Sequence, residues 1–126
     1  MVMGRPDEEV FTVWTKDLEG SSVCIAYLCG ELDASSIPAF LSNLQPLLVG
    51  DRSVVVDAHL LSYIDSTGLG ALLSVKQALR RSGRGLCIVG VHGLLTKMLQ
   101  LTRADREFAC YETVDEAVEQ IGSTGW

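Results

Sequence analysis

The densest run of chemistry-capable side chains is Asp65-Ser66-Thr67-Gly68, an acid, two hydroxyls and a glycine in succession. It lies within residues 53–73, SVVVDAHLLSYIDSTGLGALL, between β-branched residues that suit a short buried strand at 53–56 and a leucine-rich stretch that suits a helix. Asp, Ser and Thr are all good N-caps, so the run can serve simply to satisfy the free amides of a helix start. One such side chain suffices for that, and here there are three. A serine at a helix N-terminus can also carry a phosphoryl group, because free amides and the positive end of the dipole favour an anion there. Ser66 is therefore read as a modifiable serine.

On a wheel of about 100° per residue from Gly68, the residues Gly68, Ala71, Leu72, Val75, Ala78 and Leu79 share the side expected to face the core. Leu69 and Leu73 fall off it by roughly 100° and 140°, on the side of Ser66. Two readings follow for these leucines: packing under a neighbouring helix, or a docking face for a protein partner with the serine at its edge. A second polar loop, Gly30-Glu31-Leu32-Asp33, is expected at the end of an earlier strand.

Catalytic constellations are thin, and the chain reads as a non-enzyme. The two histidines, His59 and His92, lack metal-ligand spacing, and the four cysteines form no C-x-x-C. Ser66 lacks the flanking glycines of a hydrolase elbow, and the Gly-rich pieces match neither a P-loop nor a dinucleotide fingerprint. Asp57 at a strand end could suit a phosphoacceptor, but the acidic pair and late Lys that such a site needs are missing. His59 is expected in a loop, and His92 at a helix start facing solvent.

These residues need elements to position them. Strands are expected at 10–15, 23–29, 53–56, 86–89 and 107–111. Helices are expected from Ser35 or Ser36 to a break near Gln45 forced by Pro46, at 66–82, and at 92–101 with Leu94, Leu95, Met98 and Leu101 as its apolar face. A last helix opens with the capping box Thr113-Val114-Asp115-Glu116. After an initial β-β unit the order alternates strand and helix, which argues for an α/β sheet with parallel crossovers.

A chain of 126 residues is one domain by length, and 48% hydrophobic residues with only 6% aromatics imply an aliphatic core. Residues 1–9 are expected to be flexible, 10–121 to form the domain and 122–126 a tail. A net charge of −6 argues against direct nucleic-acid binding. Lys76, Arg80, Arg81 and Arg84 read as a solvated helix end suited to the dipole. Apolar runs are too short for membrane insertion and no signal peptide is recognisable, so the expected location is cytoplasmic. Cys24, Cys29, Cys87 and Cys110 are expected as buried thiols, with a Cys87–Cys110 bridge or a redox role as alternatives.

The run V-V-V-D-A-H-L-L-S-Y-I-D-S-T-G-L-G-A-L-L resembles the signature of STAS-domain anti-sigma factor antagonists, also called anti-anti-sigma factors, and Gly30-Glu31-Leu32-Asp33 matches that family's G-E-L-D loop. The resemblance extends from about Val10 to Ile121. It implies a mixed four- to five-stranded β-sheet with about four helices packed mainly on one face, in a bacterial regulator. It implies an anti-sigma factor that is also a serine kinase as partner, bound by the unphosphorylated antagonist so that a sigma factor is released. Phosphorylation of Ser66 would dissolve that complex and a serine phosphatase would restore it. By the same analogy Asp33 lies beside the phosphoserine site, Asp65 and Thr67 shape the helix start and its recognition, and Gly68 lets the partner's backbone approach. The ATP belongs to the kinase, so no cofactor is implied. Pro46 and Ala58-His59 depart from the family pattern. Alternatives are a STAS subunit of a lipid-transport or stress-sensing complex, or an apolar-ligand-binding STAS module.

Overall fold

The computed structural model describes residues 11–124, the last four by their backbone alone. Five strands pair in chain order: β1 (Thr12–Asp17), β2 (Val23–Leu32), β3 (Ser53–Ile64), β4 (Leu86–Val89) and β5 (Ala109–Tyr111). β1 is antiparallel to β2, and the other neighbours are parallel. Parallel neighbours need crossovers, supplied by α1 (Ile37–Leu48), α2 (Ser66–Arg81) and α3 (Gly93–Leu101), the last followed by a 3-10 turn at Ala104–Arg106. α4 (Val114–Thr124) follows β5.

Strand alternation divides the core. Ala26, Leu28 and Leu32 of β2, Val54 and Val56 of β3, and Ile88 of β4 join Phe40 and Leu44 of α1, Leu72 and Leu79 of α2, and Leu95 and Leu99 of α3. Val23, Ile25, Val55, Cys87 and Val89 point the other way, under Ala117 of α4. Three helices thus cover one face and one covers part of the other. That double cover is why the strands read as nearly unbroken apolar runs.

Both strands that lead to the polar motifs are longer than expected. Glu31 and Leu32 belong to β2, and residues 57–64, expected as loop, belong to β3. The register moves from Tyr27↔Asp57 to Cys29↔Leu60, and from Gly30↔Leu61 to Glu31↔Tyr63, so β3 bulges twice. Its buried residues Ala58, Leu61 and Ile64 therefore recur every third position, which disguises the strand. His59 lies in this strand and not in a loop.

α1 does not break near Gln45 but runs through Pro46 to Leu48. The proline falls in the last turn, and the carbonyls there have another donor. The Arg84 guanidinium donates to Leu47 O at 2.7 Å, Leu48 O at 2.6 Å and Arg52 O at 3.2 Å. Arg84 is thus a clamp on the end of α1 and not a solvated charge. Bonds from a charged donor contribute roughly 1.5–3 kcal/mol, so Arg84→Ala is expected to cost about 2 kcal/mol in urea denaturation; an unchanged midpoint would show that water replaces the clamp freely.

Other boundaries shift modestly. β1 begins two residues late and β5 is shorter than expected. α3 buries Leu95 and Leu99, leaving Leu94 and Leu101 exposed. Thr113 Oγ1 accepts from Glu116 N at 3.1 Å, the first half of the expected box, and α4 continues to Thr124 into the expected tail. The expected flexible segment 1–9 lies outside the described residues. All four cysteines are free. Cys87 opposes Ala109 while Cys110 opposes Ile88, so the two are not a cross-strand pair. Cys110 is also exposed, not buried as expected. Burial pushes the Cys24 thiol up to about 11 and the Cys87 thiol up to about 12, which keeps both protonated and inert. Among the described residues, no helix is long and apolar enough to cross a membrane.

Candidate functional site

Leu32 and Ile64 are register partners at the ends of β2 and β3, and each is followed by an aspartate. The two polar motifs therefore leave the sheet side by side at its carboxyl edge. Two further contacts join them. The Asp65 amide donates to Leu32 O at 3.3 Å, and Gly68 packs directly against the same carbonyl.

Asp33 organises the first loop. Its Oδ1 accepts from Ser35 Oγ at 2.7 Å, Ser35 N at 3.0 Å and Ser36 N at 3.3 Å. The Ser35 hydroxyl, helped by these amides, holds the Asp33 carboxyl below the usual carboxylate range. Ser36 occupies the cap position of α1, yet its hydroxyl does not cap the helix. It donates to Glu31 O at 2.8 Å and accepts from Asp33 N at 2.9 Å, tying the loop to the strand.

Asp65 is the cap of α2. Its backbone is extended, and its carboxylate accepts from Gly68 N at 2.9 Å. Ser66 and Thr67 follow as the first helical residues, both exposed, and neither hydroxyl has a hydrogen-bond partner among the described residues. One carboxylate does the capping, so the two hydroxyls are free for something else. Residues 29–36 and 57–70 contain Glu31, Asp33, Asp57 and Asp65 and no Lys or Arg. The amino ends of α1 and α2 supply the positive potential at this edge.

Two expectations about this helix are corrected. Gly68 is buried, and a Cβ there would overlap the Leu32 carbonyl oxygen and press on Ile64 Cγ1 and Leu32 Cγ at 3.0 Å. The backbone that approaches Gly68 is the chain's own, not a partner's. Leu69 is only 4% exposed and belongs to the core, so it offers no docking surface. A wheel with one buried side misplaced it, because α2 packs against both the sheet and α1. Leu73 is half-buried and packs against the same core.

The exposed apolar residues at this edge are others: Leu60 at 58%, Tyr63 at 40% and Leu94 at 41% exposure. Sequence reasoning missed them because the bulges in β3 hide its inward period, and Leu94 sits where the wheel of α3 looked apolar. His59 Nδ1 lies 2.7 Å from Asp57 Oδ1, with its ring against Gly90. His92 starts α3 as expected, with Nε2 3.2 Å from Ala58 O. A crevice of about 770 Å³ opens beside the start of α4, lined by His59, Gly90, Tyr111, Glu112 and Glu116 among others, and contains no residue of the 65–68 run. No group of three or more His, Cys, Asp and Glu suited to a metal ion occurs among the described residues.

Comparison with known proteins gives a consistent result. The STAS domain family matches residues 17–117. The anti-sigma-B factor antagonist of Staphylococcus aureus (strain NCTC 8325 / PS 47) is 34% identical over 74 residues, covering 58% of this chain and 68% of that protein. An anti-sigma factor antagonist from Mycobacterium paratuberculosis superposes with a TM-score of 0.75 at 25% identity, covering 94% of this chain and 98% of the other. The Bacillus cell fate determinant SpoIIAA shares the fold in its unphosphorylated form, with a TM-score of 0.66 at 17% identity over 89% of this chain and 97% of the other. It also shares it in its phosphorylated form, with a TM-score of 0.65 at 18% identity over 89% and 99%.

Proposed function

The chain belongs to the STAS-domain family, and from that premise we propose that it is an anti-sigma factor antagonist switched by phosphorylation at Ser66. Unphosphorylated, it binds an anti-sigma factor that is also a serine kinase, and a sigma factor is released. The kinase transfers the γ-phosphoryl group of its own ATP to Ser66 Oγ: the O–H bond is lost, an O–P bond forms and ADP leaves. A serine phosphatase reverses the change. The chain itself supplies a hydroxyl and a binding face, and needs no cofactor.

One observation carries this reading: Ser66 is an exposed first residue of α2 with an uncommitted hydroxyl, because Asp65 alone caps the helix. Phosphorylation adds about −1.5 to −2 charges at a position where helix amides and the dipole accept them. The fold can bear it. A partner docked over the same edge cannot, since it would bury that charge beside Asp33 and Asp65. The known phosphorylated and unphosphorylated forms of SpoIIAA, which has this fold, agree with such a cycle.

Intact-mass analysis after incubation with candidate anti-sigma factor kinases of the same organism and Mg-ATP tests the assignment. One phosphoryl group is expected on the wild type and none on Ser66→Ala. Labelling of Ser66→Ala to the wild-type extent would remove Ser66 as the site.

A further inference from the structure

A second cleft, of about 450 Å³, opens at the amino ends of β4 and β5. Ser66 and Arg80 stand near opposite ends of α2, roughly 20 Å apart along its axis, and the cleft is at the Arg80 end. Its charged walls come from three places in the chain: Lys76 and Arg80 of α2, Arg84 before β4, and Arg106 with Glu107 after α3. Phe108, 4% exposed, closes the floor. Four cations and one carboxylate thus meet in one concavity of a chain whose net charge is −6. Lys76, Arg80 and Arg84 are a pattern of the sequence, but Arg106 arrives only through the fold.

The four cations are not equivalent. Arg84 spends its donors on Leu47 O, Leu48 O, Arg52 O and Ser82 Oγ, so it gives the cleft a fixed charge and little else. Lys76 donates to Glu107 O, lies 3.9 Å from the Glu107 carboxylate and sits 5.8 Å from the centroid of the Phe108 ring. That accounts for the one acid. The Arg80 and Arg106 side chains make no hydrogen bond or ion pair among the described residues. Lys76 and Arg80 are also four residues apart on one helix, where like charges repel. Two unpaired guanidiniums beside two immobilised cations are unfavourable until an anion joins them.

The carboxyl end of a helix ordinarily disfavours an anion. Here Leu79 O already accepts from Ser82 N and Arg84 N, and Arg80 O from Gly83 N, each at 3.0 Å. The negative end of α2 is therefore covered by its own turn.

We propose that this cleft binds a small soluble phosphomonoester, with its dianionic phosphoryl group held by Arg80 and Arg106 in the field of Lys76 and Arg84. Guanidinium forks match phosphoryl oxygens in pairs. The volume is that of a metabolite-sized site. The negative charge of the whole chain opposes an anionic membrane surface, which leaves a ligand free in solution. The site is independent of the reading of Ser66.

Glycerol 3-phosphate titrated into the full chain, followed by calorimetry and by amide shifts in NMR, tests this. Saturable binding is expected, with shifts centred on Gly85, Glu107 and Ala109 and none in the 65–68 run. Arg80→Ala with Arg106→Ala changes two exposed side chains, so it should melt as the wild type does. It should weaken binding by about tenfold or more. Arg81→Ala with Lys97→Ala removes the same charge from outside the cleft and should weaken binding by less than about twofold. Equal losses in the two double variants would reduce the cleft to a general positive field and overturn the proposal. Shifts centred on residues 65–68, or no saturation up to about 10 mM, would overturn it too. Phosphatidylcholine vesicles containing phosphatidic acid should not sediment the protein; if they do while glycerol 3-phosphate fails to bind, the soluble ligand is refuted.

Discussion

Ser66→Glu should fold as the wild type does and lose its anti-sigma factor by more than about a hundredfold. The two halves of that expectation have different physical origins. At the first position of α2 a carboxylate meets unsatisfied amides and the positive end of the dipole, a pairing that contributes roughly 0.3–1 kcal/mol in favour of the fold. The Asp65 cap already takes the Gly68 amide and is undisturbed. In a complex the same carboxylate is desolvated without a cation from its own chain, since residues 57–70 carry none. An uncompensated buried charge costs about 3–5 kcal/mol, and about 2.7 kcal/mol is already a hundredfold. Ser66→Ala, which keeps the surface neutral, should bind like the wild type. Calorimetric titration with the partner and a melting curve of each variant read the two halves separately. Wild-type affinity for Ser66→Glu would place the docking face elsewhere.

Gly68→Ala should destabilise the domain by about 2 kcal/mol or more, although alanine is the better helix former. The gain in helix propensity is about 1 kcal/mol. Against it stands overlap with the Leu32 carbonyl oxygen and tight contact with Ile64 Cγ1 and Leu32 Cγ. Overpacking of this kind costs about 1–3 kcal/mol where side chains can adjust, and more where they cannot. Here the obstacle is backbone. Leu32 is held in the sheet by β3, and its carbonyl also accepts from Asp65 N. Relief requires moving the start of α2 away from the end of β2, which would also separate the two aspartate loops. Gly70 provides the internal control: it is exposed in the same helix with nothing within 4 Å of an added Cβ. Gly70→Ala should therefore stabilise by up to about 1 kcal/mol. Opposite signs two residues apart in urea denaturation would establish that the close approach, and not helix propensity, determines the effect. Equal stabilisation by both would refute it.

Much of this architecture is legible in one chain because local rules and tertiary structure agree. The β-branched runs at Val23 and Val54, the Asp65 cap, the Gly83 stop after α2 and the Thr113 cap of α4 act over a few residues, within reach of a sequence pattern. What was missed depends on residues far apart in the chain. The bulges in β3 exist only through its pairing with β2. α1 continues through Pro46 into a last turn whose carbonyls receive Arg84, 37 residues away from Leu47. Leu69 is buried because α1 occupies the side of α2 that a single-sided wheel leaves open.

The same division runs through the site. Sequence by itself determined the family, the α/β order and the polar run 65–68, and it is the source of the proposal that Ser66 is the switch, since a hydroxyl beside a capping acid at a helix start is a local pattern with a local physical meaning. Only the tertiary structure decided which neighbours that serine has. It set Asp33 beside Asp65 by pairing Leu32 with Ile64, turned Gly68 inward against a carbonyl, buried Leu69, and exposed Leu60, Tyr63 and Leu94 in its place. Burial is a property of what packs against a residue, and for this edge the packing partners come from three crossovers that no window of sequence contains.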